Sequence, residues 1–83
     1  MLMLQFELLG TLGCHLCDDA EQLLIANLDM QSIAVEVVDI AESEELMDSY
    51  ALRIPVLRHR ESGHCLDWPF RAEEVVGWVE SLR

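Results

Sequence analysis

The sequence predicts an α/β protein, a four-stranded mixed sheet with three helices in the order β-α-β-α-β-β-α. Three observations carry that expectation. The chain opens on an alternating segment, with Leu4, Phe6 and Leu8 on one face and Gln5 and Glu7 on the other, the pattern of a strand with one buried side. Apolar residues then recur at helical spacing from Cys14 to Met30. Later, two short strand-like runs are separated only by Arg60 and the turn Glu61-Ser62-Gly63, the mark of a hairpin. A strand–helix–strand beginning implies a right-handed parallel crossover. The hairpin implies an antiparallel pair.

Each element follows from its residues. The first strand runs from Met3 to Leu9, and Gly10 to Gly13 is a turn-rich loop. In the first helix, Cys17, Ala20, Leu24 and Leu28 form one face with Leu23 beside it, and Asp18, Asp19, Glu21 and Gln22 take the other. Ile33 to Ile40 is rich in β-branched residues and reads as the second strand. Ser43 caps a short helix whose first turn holds Glu44 and Glu45, where acids are favoured, and which ends near Leu52. Pro55 to His59 is the third strand and His64 to Asp67 the fourth. Pro69 breaks the chain before a last helix with Ala72, Val75, Trp78, Val79 and Leu82 on one face. The polar face of the first strand calls for two helices on one side of the sheet and one on the other. The first and last helices are expected against Leu4, Phe6 and Leu8.

Length and charge narrow the function. Eighty-three residues suit one domain, residues 1–83, and no repeat, linker or low-complexity stretch divides them. Sixteen acids face five arginines, lysine is absent, and the net charge is -11. Such a surface repels phosphate backbones and anionic lipid, so neither nucleic acid nor membrane is an expected partner. The charge serves solubility or selects partners with a basic patch. The apolar start is interrupted by Gln5 and Glu7 and has no basic residue before it, unlike a secretory signal. No apolar run reaches the 18 residues of a membrane span. A cytoplasmic monomer is expected, with Cys14, Cys17 and Cys65 mostly reduced. A close cysteine pair there reads as catalytic or metal-binding rather than as a staple.

The chemistry lies in Gly13-Cys14-His15-Leu16-Cys17, between a strand and a helix. Cysteines three apart at a helix start close a disulfide with little backbone movement. The first sits where the helix's free N–H groups point, so its thiolate is stabilised. Cys14 is therefore the expected nucleophile and Cys17, one turn in, the resolving thiol. The second piece is Ile54-Pro55. Pro55 donates no ladder bond and marks the start of the third strand or a bend, close to the redox loop in this order of elements.

The chain resembles the thioredoxin-fold, glutaredoxin-like family, and most closely the short bacterial glutaredoxin-like proteins. The matching stretches are Cys14-His15-Leu16-Cys17, Tyr50-Ala51-Leu52-Arg53-Ile54-Pro55-Val56-Leu57 and Leu66-Asp67-Trp68-Pro69-Phe70, which together span nearly the whole chain. The resemblance implies that Pro55 is cis. It also implies that the Ile54 backbone faces the redox pair and receives an extended substrate or glutathione. The substrate-binding set is then His15, Leu16, Arg53, Ile54 and Pro55. Glutaredoxins usually carry Pro-Tyr between the cysteines, a lysine shortly before the first one and a Gly-Gly pair after the last strand. This chain has His15-Leu16, Thr11-Leu12-Gly13 and Asp67-Trp68-Pro69-Phe70 in those places. The lost lysine and glycines are glutathione-binding features, which counts against glutathione as reductant.

Other residues carry two readings each. His15 is a cation beside the Cys14 thiolate or an exposed residue of the first turn, while Asp18 and Asp19 oppose further negative charge on sulfur. Cys65 is a small core residue or a third redox thiol. Arg53 is an exposed helix-end cation or a ligand for a substrate carboxylate. Trp78 fits the core, whereas Trp68 and Phe70, held in a loop by Pro69, fit either core or binding surface. A zinc set of Cys14, Cys17, His64 and Cys65 is disfavoured, because adjacent strand residues point to opposite faces. The resulting expectation is a thiol–disulfide oxidoreductase or electron carrier acting on a protein or small-molecule disulfide. It would need no metal or organic cofactor. The alternative is a non-catalytic binding or adaptor module of the same fold.

Overall fold

The alternating segment at the start of the chain forms β1 (Leu4–Gly10), and the helical repeat after it forms α1 (His15–Asn27). β2 (Ile33–Asp39) follows, then one turn of 3-10 helix at Ile40–Glu42 and the short helix α2 (Glu44–Tyr50). β3 (Val56–His59) and β4 (Cys65–Asp67) form the hairpin, and α3 (Ala72–Ser81) closes the chain. The computed structural model describes residues 3–83. The elements, their order and the α/β class match the sequence reading, and no end differs by more than three residues. Asp39 and Ser43 explain the extra 3-10 turn. Asp39 accepts the Ala41 N–H at 2.9 Å and Ser43 accepts the Leu46 N–H at 3.3 Å, so two capped starts follow in succession.

The sheet order is β2-β1-β3-β4. β1 runs parallel to β2, from Leu4 opposite Ile33 to Gly10 opposite Asp39. It runs antiparallel to β3, from Phe6 opposite His59 to Leu9 opposite Val56. β3 and β4 are antiparallel. One face carries the main core, where Phe6, Leu8 and Leu57 meet Ala20 and Leu24 of α1 and Val75 and Val79 of α3. Leu4 packs at its margin, as expected of the first and last helices. Phe70 is buried in that core and Trp68 packs edge-on against it at 5.0 Å. Both therefore serve the core, as does Trp78, 5.7 Å from Phe6.

The opposite face is less polar than the alternation suggests. Leu9 is fully buried there with Ile40 and Val56, under Leu46 and Tyr50 of α2. α2 covers only the end of the sheet next to the redox loop. Beyond it, Glu7 is half-buried and accepts from Arg58 Nε at 2.9 Å across the β1–β3 pair. Among the described residues no helix is long and apolar enough to cross a membrane.

Candidate functional site

The site is built where β1 hands over to α1. Gly13 adopts φ 78°, a left-handed conformation that glycine takes without penalty, and turns the chain into the helix. Cys14 follows as N-cap in extended conformation, and its Sγ accepts the Cys17 backbone N–H at 3.1 Å. A sulfur thus occupies the place usually held by a serine or aspartate oxygen, among the unpaired N–H groups of the first turn. Cys14 and Cys17 are joined in a disulfide, with Cα atoms 5.2 Å apart. Both cysteines are half-buried, whereas His15 and Leu16 between them are exposed.

Gly10 shapes the candidate site, and the sequence reading does not single it out. A Cβ built there would lie 2.7 Å from Cys17 Sγ, closer than a carbon and a sulfur can pack. Only glycine at the end of β1 leaves room for the second sulfur. The sequence reading places Gly10 in the loop, whereas β1 extends to it, so the close approach that a glycine within a strand marks goes unread.

The register that sets Leu9 opposite Val56 brings Pro55 alongside Gly10, and so beside the strand end that carries the dithiol. The Ile54–Pro55 peptide is cis, and so is Trp68–Pro69. Pro55 is buried and its carbonyl accepts the Trp68 N–H at 3.1 Å. The Ile54 N–H donates to the Tyr50 carbonyl at 3.1 Å. Of the two Ile54 backbone groups expected to receive substrate, the donor is thus engaged at the end of α2.

Arg53 is not an unpaired cation awaiting a carboxylate. Its Nε and Nη2 donate to the two Asp67 oxygens at 3.0 and 2.8 Å, and its guanidinium lies 5.0 Å from the Tyr50 ring centroid. This fork ties the end of α2 to β4. Asp67 is correspondingly held below the usual carboxylate range, first by the Arg53 hydrogen bonds and then by its charge. Cys65 is a free thiol, half-buried on β4 with its Sγ 3.8 Å from the Tyr50 hydroxyl, packed against the α2-side core.

The family model of the glutaredoxin-like domain (DUF836) matches residues 5–80. Among solved structures, the Northeast Structural Genomics target protein XcR50 from X. campestris is 36% identical, with a TM-score of 0.79, over 92% of this chain and 96% of that one. No curated protein matches the chain.

Proposed function

Because the chain belongs to the glutaredoxin-like domain family, we propose that it is a thiol–disulfide oxidoreductase or electron carrier whose redox group is Cys14–Cys17. One observation carries this reading: the two sulfurs are bonded at the N-terminus of α1, and Cys14 Sγ accepts the Cys17 amide. In the reduced protein the same amide and the helix N-terminus favour a thiolate at Cys14. That thiolate attacks a substrate disulfide, forms a mixed disulfide and expels one substrate thiolate, which takes up a proton. Cys17, deprotonated in turn, attacks Cys14 Sγ and expels the second substrate thiolate, which is likewise protonated. The substrate gains two electrons and two protons, and Cys14–Cys17 becomes the disulfide. An external thiol or dithiol must then reduce it. Glutathione is a poor candidate, since the lysine and paired glycines that hold it in glutaredoxins have no counterpart here. No organic cofactor or metal is part of the scheme. We place the protein in the cytoplasm as a monomer, acting on protein or small-molecule disulfides rather than on nucleic acid or membranes.

A redox titration of Cys14–Cys17 against defined dithiol buffers tests the reading. A potential between about −150 and −300 mV puts the couple within reach of cellular thiol pools. A disulfide that resists reduction across that range would leave a binding module of the same fold, with a structural cross-link in its first helix.

A further inference from the structure

Two apolar depressions lie between α1 and the edge strand β2. The first, about 170 Å³, opens beside Cys17 and is walled by Leu12, Val37 and Val38. The second, about 150 Å³, continues to Ile25, Met30 and Val35. Glu21 and Val37 line both, so the two form one groove from the dithiol along α1. Its apolar rim is open to solvent, with Val37 60% and Ile25 61% exposed.

Among the described residues, the strand beside the groove is unpaired on its outer side. The Leu4 N–H donates to the Ser32 carbonyl at 3.1 Å, which points that carbonyl at β1. Backbone groups alternate along a strand, so those of Val35 and Val37 point away from β1. The sheet order places no strand of the described residues there. The groove is also anionic. Asp18, Glu21 and Asp39 line it and none of the five arginines does. None of these three acids belongs to an ion pair among the described residues, and Glu36 is exposed on β2 itself.

We propose that this groove docks an extended segment of a partner protein in which apolar residues alternate with arginine or lysine, added to the sheet as a strand outside β2. Main-chain hydrogen bonds to Val35 and Val37 supply affinity, and alternate side chains read the apolar groove. The unpaired acids select a cationic segment and steer its approach. A second copy of this chain is a poor occupant, because each copy carries -11 and edge acids oppose self-pairing. Docking stands on the groove and its charge; only the delivery of a disulfide from the docked segment to the dithiol rests on the function proposed above.

The test is a titration of ten-residue probe peptides into the ¹⁵N-labelled full chain. An alternating arginine–valine peptide is expected to bind saturably, with shifts centred on Glu21, Val35 and Val37, and more weakly as salt rises. An arginine–serine peptide should bind about tenfold more weakly and a glutamate–valine peptide not measurably. Val37→Asp should weaken the arginine–valine peptide about tenfold although it adds an attractive charge, which isolates the apolar contact. Because Val37 is exposed, the variant should still fold, with a melting temperature within a few degrees of the parent's. Equal binding of the arginine–serine or glutamate–valine peptide would overturn the proposal. So would shifts away from the groove, an unaffected Val37→Asp, or a dimer sedimenting through β2. If the peptide results hold while Cys14–Cys17 resists the redox titration, the proposed chemistry fails and the docking site remains.

Discussion

At Gly10 a single methyl group would meet a sulfur. The clash matters most when the sulfur cannot move. In the disulfide, Cys17 Sγ is tied to Cys14, whereas the reduced thiol can rotate about χ1. Gly10→Ala should therefore destabilise the oxidised protein more than the reduced one, by about 1–3 kcal/mol. The couple becomes more oxidising by about 20–60 mV, at about 30 mV per 1.4 kcal/mol. Redox titration of the variant measures this, and an unchanged potential would show that β1 moves to make room. The same loop separates the cysteines by reactivity. Cys14 Sγ sits on the helix N-terminus and accepts an amide, while Cys65 lies against Tyr50. In the reduced protein at pH 7, Cys14 should be alkylated well before Cys17 and Cys65, as followed by mass spectrometry of partly labelled protein. First reaction at Cys65 would reverse the assigned roles.

Among the elements, α2 depends most on its attachments. It is seven residues long and none of them is buried, so little apolar burial holds it on the sheet. The fork from Arg53 to Asp67 fastens its end to β4. Asp67 is held below the usual carboxylate range in the folded chain, so its contribution is present above an unfolded value near 3.9 and fades as pH falls through the lower folded value. The side chains are 43% and 47% exposed, and solvent screening limits the pair to at most about 1 kcal/mol. Asp67→Asn should lose up to that amount at pH 7, and the gap to the parent should close as the pH is lowered towards 3. Urea unfolding across that range reads both. A gap that widened in acid would mean that Asp67 acts through something other than Arg53.

At the scale of the whole molecule, net charge opposes compaction. A chain of 83 residues with a charge of -11 repels itself, and added salt screens that repulsion within a Debye length of about 10 Å at 0.1 M. Stability should rise with sodium chloride between about 0.02 and 0.5 M, by a few degrees in melting temperature. Calorimetry or circular dichroism measures it. A fall over that range would show that local ion pairs such as Glu7–Arg58 outweigh the net repulsion. The same excess of acid is unevenly used, since Asp18 and Glu21 stand over an apolar groove with no ion pair among the described residues.

The element order, the parallel-then-antiparallel pairing and the dithiol at a helix start are legible in the residue pattern. These are properties of periodicity and spacing: Leu4, Phe6 and Leu8 alternate, Ala20, Leu24 and Leu28 repeat at helical intervals, and Cys14 and Cys17 are one turn apart. Ser43 as a cap was legible for the same local reason. What depends on distant residues meeting shows only in the folded chain. Leu9 falls on the strand face that Gln5 and Glu7 mark as polar, yet it is buried because α2 folds over it. Arg53 reads from the sequence as an exposed helix-end cation or a ligand for a substrate carboxylate, and the fold adds a partner that neither reading names, because β4 returns Asp67 to it. Gly10 gained its meaning when Cys17 turned back over the end of β1. The groove beside β2 exists because the sheet ends there. No local pattern encodes such meetings, because they are set by which surfaces the chain brings together and which it leaves uncovered.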